Sequence, residues 1–147
     1  MPRRTVARSA ARGAIASMAM SGLRRITTTL GWLERTPPEA IVADRAPELF
    51  HRVPVERRAV LVEAAHLGYG TLGGVAFGLL PARLRRQDWV GPAYGTLLWL
   101  GYAAVIAPAL GLSPARRPGR GAQWLALLVD HLLYGVVVAA SPWPYRD

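Results

Sequence analysis

Seven side chains capable of proton transfer, ion binding or metal ligation fall inside long apolar stretches of this 147-residue chain: Arg24, Arg25, Glu63, His66, Tyr102, Asp130 and His131. Histidine titrates near neutral pH, and ionisable groups inside apolar segments mark proton or ion routes in many membrane proteins. Glu63-x-x-His66 sets a carboxylate and an imidazole one helical turn apart, which also fits two metal ligands. A di-iron bundle would need more carboxylates and a second such pair, and neither is present. A third reading is interhelical polar contact that fixes helix register, worth about 0.6 to 2 kcal/mol per contact. Nothing resembles a hydrolytic triad or a phosphate loop, and Gly73-Gly74 lies in an apolar helix without the strand a dinucleotide fingerprint requires. No enzyme activity, cofactor or metal is expected.

The elements that must position these groups are apolar segments of membrane-spanning length. From Val90 to Leu112 no carboxylate, amine or imidazole occurs, and at about 1.5 Å per residue the run covers a hydrocarbon core of about 30 Å. Pro92 and Pro108 sit near its ends, and Trp89 and Trp124 mark headgroup-level anchors. Segments 59–80 and 122–140 are each interrupted only by an acid and a histidine. The chain is read as one membrane domain, 1–147, with helices at about 10–33, 59–80, 90–112 and 122–140.

The first segment is the hard case. Two central arginines cost roughly +5 to +7 kcal/mol on an insertion scale, against about −2 to −3 kcal/mol returned by Ile15, Leu23, Ile26, Leu30 and Leu33. At 100° per residue Ser17, Ser21, Arg24 and Thr28 form one narrow stripe, and the apolar residues cover the opposite side. The expectation is an all-α bundle of four transmembrane helices with this stripe turned inwards. The alternative is three spans plus an interfacial N-terminal helix. A signal peptide is excluded because the apolar run before Ala14 and Ala16 is too short.

Residues 34–58 are rich in charge and proline. Thr36-Pro37-Pro38-Glu39 offers an N-cap, a first-turn proline and a capping-box glutamate, which predicts a short amphipathic helix through about Ala46. Pro54 should start the second long helix. The net charge of +9 comes entirely from arginine, and the chain has no cysteine. That excludes a disulfide scaffold, and the 52% apolar content excludes disorder. The arginines flank apolar runs, as in loops that contact anionic lipid, so the lipid bilayer and not nucleic acid is the expected partner. With four spans and the N-terminus inside, eight arginines lie in inner loops and eight in outer ones, leaving orientation undecided. A flat first segment would put fourteen inside and four outside.

Helical rise places His66 about 10 Å and His131 about 13 Å from the starts of their segments, and Arg24 and Arg25 about 12 Å from the end of theirs. Tyr102 falls about 15 Å in from the same side. A single buried polar layer of Arg24, Arg25, Glu63, His66, Tyr102, Asp130 and His131 is therefore expected, with two arginines facing two carboxylates. His66-Leu67-Gly68-Tyr69-Gly70 and His131-Leu132-Leu133-Tyr134-Gly135 form a short repeat whose histidine and second glycine share a face. Gly70, Gly74 and Gly78, Gly91 and Gly95, and Gly135 supply smooth faces for close helix packing, within the chain or in a homo-oligomer or larger membrane complex.

These motifs resemble the YagU-like group of small bacterial inner-membrane proteins. The resemblance rests on Gly13-Ala14-Ile15-Ala16, Pro37-Pro38, Ala65-His66-Leu67-Gly68-Tyr69-Gly70, Tyr94-Gly95 with Trp99, Pro108-Ala109-Leu110-Gly111-Leu112, and His131 with Tyr134-Gly135. It implies a multi-pass location in the inner membrane and no established catalytic residues. Arg24-Arg25 departs from the group's first helix. The expected role is a structural or accessory membrane subunit, with a small proton- or ion-linked transporter as the alternative.

Overall fold

The computed structural model describes residues 2–31, 41–43, 46–109 and 120–140, and these residues are almost wholly helical. Helix α1 runs Pro2–Thr29. It begins eight residues before the apolar segment because proline is tolerated in a first turn and arginine is a good helix former. It stops short of Leu33 because Gly31 adopts φ +74°, the left-handed conformation that ends helices, with its N–H donating to Thr28 O at 2.9 Å. Helix α2, Pro47–Arg52, carries Glu48 in its first turn and His51 and Arg52 in its last, as the helix dipole favours. The short helix expected before Ala46 falls partly outside the described residues: 41–43 are helical, but Thr36 to Glu39 are not described.

Helix α3 is Val55–Leu79, entered through extended Pro54 and left through extended Leu80, which precedes Pro81. Helix α4 is the single turn Ala82–Arg85. Helix α5 spans Val90–Ala109 and contains a π-helical turn over Tyr102–Ile106, closed by the Ala107 N–H donating to Tyr102 O. Pro108 explains the wider turn: it has no N–H for Ala104 O, and in a regular helix its ring would press on that carbonyl. Helix α6 is Arg120–Ala139.

The long helices form two antiparallel hairpins. In the first, Ser9, Gly13 and Ser17 of α1 meet Gly70, Gly74 and Gly78 of α3 so closely that a Cβ on Gly74 would lie 3.0 Å from Gly13 Cα. In the second, Gly91 and Gly95 of α5 meet Gly135 and the His131 backbone of α6, and a Cβ on Gly135 would lie 2.8 Å from Gly95 N. The hairpins share one core of Ala16, Met20, Phe77, Val90, Tyr134 and Val138. Close backbone approach through small residues is how helices associate where no hydrophobic force drives them together.

Beside this apolar core, polar side chains are buried and large apolar ones lie outside. Ser9, Ser17, Ser21, Arg24, Thr27, His66 and Asp130 are buried, whereas Ile15, Met18, Ile26, Leu30, Leu72, Leu79, Leu97, Val105 and Val136 are exposed. Helices α3, α5 and α6 are each long and apolar enough to cross a membrane. Helix α1 does not join them on composition, because its N-terminal turns and the Arg24-Arg25 pair dilute its apolar content.

Candidate functional site

The polar residues gather where α1, α3 and α6 converge. Arg24 is central and only 5% exposed, because it continues the buried face Ser9, Gly13, Ser17 and Ser21 by another helical turn. Its Nε donates to Asp130 Oδ2 at 2.9 Å, an ion pair in which both side chains are almost fully enclosed. Its Nη2 donates to His66 Nε2 at 2.7 Å. One guanidinium thus links three helices.

The bonding fixes the histidine tautomer. A guanidinium only donates, so His66 Nε2 accepts and the ring proton sits on Nδ1. That nitrogen lies 3.3 Å from Ser21 Oγ, which itself donates to Glu63 Oε2 at 2.7 Å. A continuous chain therefore runs from the exposed Glu63 through Ser21, His66 and Arg24 to the buried Asp130. On the far side of Asp130, His131 Nδ1 donates to Leu127 O at 2.7 Å, which leaves its Nε2 as an acceptor. The His131 ring stacks on Tyr102, with centroids 6.3 Å apart and planes at 27°.

The structure thus brings together Arg24, Glu63, His66 and Asp130 through bonds, and Tyr102 with His131 through ring contact. Arg25 is the departure from the expected layer. One residue further round the helix, its side chain is exposed, so a single arginine, not two, occupies the interior. Glu63 is likewise exposed and, among the described residues, reaches the cluster through Ser21. Among the described residues no three His, Asp or Glu side chains converge as metal ligands.

Two tyrosines missed by charge-based reasoning tie the second hairpin to the first. Tyr134 Oη donates to Gly70 O at 2.5 Å and Tyr94 Oη to Gly73 O at 2.7 Å. The signal was present in the repeated Tyr-Gly pairs: a glycine face exposes its helix backbone, and a phenol is long enough to reach it. Ser21 was visible in the amphipathic stripe, but its bridging position was not.

The glycine positions sort cleanly. Gly70, Gly74 and Gly78 face α1, while Gly91, Gly95 and Gly135 close the α5–α6 contact, so all six pack within the chain. Beside the polar cluster lies a cavity of about 180 Å³, lined by residues of α1, α3, α5 and α6 together with Ile41 and Val42. Arg24, His66, Asp130 and His131 form its polar end. No family model, curated protein or solved structure matches this chain.

Proposed function

We propose that the protein is a four-span, multi-pass protein of the cell inner membrane, a non-enzymatic structural or accessory subunit in which the Arg24 cluster fixes how two helical hairpins dock. The observation that carries this reading is the Arg24–Asp130 pair, 2.9 Å long and enclosed on both sides. A buried ion pair of this kind contributes specificity of arrangement more than net stability.

Helix α1 as the fourth span is supported by its inside-out character and by its last turns. Thr28 Oγ1 donates to Arg24 O at 2.7 Å and Thr29 Oγ1 to Arg25 O at 2.8 Å. Hydroxyls on an outer face that bond their own helix suit a surrounding without water. The resemblance to the YagU-like group belongs to the same proposal, as does the inner membrane as its location. The absence of native cysteine permits a direct test. Single cysteines at Arg4 and Leu30 should react with impermeant reagents from opposite sides of the membrane. Labelling of both from one side would establish the three-span alternative instead.

A second reading, proton- or ion-linked transport, is favoured by the cavity meeting the Glu63–Ser21–His66–Arg24–Asp130 chain. In proteoliposomes it predicts a pH-driven flux that His66→Ala together with His131→Ala abolishes. An unchanged flux, or none in the parent chain, removes this reading.

A further inference from the structure

The cavity has features that docking two hairpins does not require. Helices α3 and α5 meet through Phe77 and Tyr94, whose ring centroids are 5.2 Å apart, and through the Tyr94 bond to Gly73. Towards His66 the cavity occupies the space between them. Ala65 and Tyr69 of α3 line it and are also exposed, and Ile41 and Val42 of the α1–α3 connection line it too, so its outer side reaches the bundle surface beside two helices apolar enough to span a membrane. An entrance there faces lipid, a step that rests on the membrane reading above.

Its inner end holds a buried acceptor without a donor among the described residues. Asp130 is 2% exposed; Arg24 engages Oδ2, and Oδ1 has no hydrogen-bond partner among the described residues. His131 Nε2 is a further acceptor lining the cavity, since Nδ1 is committed to Leu127 O. A buried carboxylate oxygen without a partner is costly and calls for a donor. The Arg24–Asp130 pair already balances charge, so a charged occupant would leave an uncompensated ion in a low-dielectric site. A volume of about 180 Å³ is close to that of the cavity of about 150 Å³ that accepts benzene in a well-studied soluble protein. Tyr102 and the stacked His131 supply aromatic wall.

We propose that this cavity is a lateral binding site for the uncharged, single-ring phenol or quinol headgroup of a lipid-phase molecule, whose hydroxyl donates to Asp130 Oδ1 or His131 Nε2. The ring fills the apolar body of the cavity and its tail leaves past Ala65 and Tyr69 into the bilayer. Tyr102 and Ile106, at the two ends of the π-helical turn of α5, line the cavity.

The test uses the full chain in nanodiscs, with empty discs as the baseline for partitioning. 4-Propylphenol should bind saturably above that baseline, and 4-propylanisole, which keeps the ring and tail but lacks the donor, should bind at least about tenfold more weakly. Ala65→Phe, on an exposed position at the entrance, should reduce phenol binding by a similar factor without altering the helical circular dichroism. Equal affinity for phenol and anisole, or phenol uptake no greater than by empty discs, overturns the proposal. So does undiminished binding to folded Ala65→Phe. If that variant does not fold, the phenol-to-anisole ratio on the unaltered chain decides alone. Failure of binding in a protein whose cysteine map gives four spans removes the ligand site and leaves the topology standing.

Discussion

The α1–α3 and α5–α6 hairpins solve the same packing problem and then diverge at one level of the bundle. Both close through glycines whose missing side chains let backbones touch: Gly13 against Gly70 and Gly74 in one, Gly91 and Gly95 against Gly135 in the other. Beyond the glycines, α1–α3 becomes ionic, with Ser21 and Arg24 on Glu63 and His66. The α5–α6 hairpin becomes aromatic, with Trp99 edge-on to Trp124 at 5.7 Å and Tyr102 stacked on His131. Both helices of the aromatic hairpin are apolar enough to cross a membrane, whereas in the ionic one α3 is and α1 is not. The ionic hairpin's Arg24 and the aromatic hairpin's Asp130 each find their counter-charge in the other hairpin. Small residues therefore bring helices together in both halves, and in the proposed reading charge decides which halves pair.

That contrast can be broken most severely at Arg24. Arg24→Met should cost about 3 to 5 kcal/mol in a detergent-unfolding titration, since it strands Asp130 in the interior. Its neighbour sharpens the point: Arg25→Leu, on an exposed position, should leave stability unchanged or raise it, because the proposed four-span arrangement places this outward-facing charge in an apolar environment.

The glycine contacts come next, and should respond alike in both hairpins. A methyl on Gly74 meets Gly13 Cα at 3.0 Å, and one on Gly135 meets Gly95 N at 2.8 Å. Neither neighbour is a flexible side chain. Gly74→Ala and Gly135→Ala should each cost about 1 to 3 kcal/mol by the same titration. A loss confined to one hairpin would show that the two seams are not equivalent.

Smaller effects separate the polar contacts. Ser21→Ala removes the bridge between Glu63 and His66 and should cost about 1 kcal/mol. Tyr94→Phe and Tyr134→Phe should each cost about 0.6 kcal/mol, the usual worth of one interhelical bond in a membrane protein. If the tyrosine variants were more damaging than Ser21→Ala, the aromatic contacts to α3 would outweigh the ionic hairpin's own bridge.

Much of this arrangement is legible in the chain because membrane helices obey two simple periodicities. The 100° stripe through Ser17, Ser21 and Arg24 points to the buried face of α1, and the four-residue glycine spacing points to the packing face of α3. Depth arithmetic from helical rise brings Arg24, His66 and Asp130 to one level, where they bond. The stripe extends further than hydropathy suggests. Ser9 is buried against Gly78 although it precedes the apolar run, because the helix begins before that run. At the other end Thr27, not Thr28, turns inwards, a single-residue difference that a 100° step blurs over three turns. Arg25 is excluded by the same one-residue rotation. Which glycine face meets which partner is not encoded in any one segment, and the cavity arises from where α3 and α5 fail to meet, a property of the assembled bundle.

The ionic docking of the two hairpins is tested most directly by a double-mutant cycle on Arg24 and Asp130, using Arg24→Met, Asp130→Leu and their combination in the same unfolding titration. The pair, joined at 2.9 Å in the enclosed interior, predicts a coupling energy of at least about 1.5 kcal/mol, with the double variant more stable than either single one. Additive losses with no coupling would contradict it.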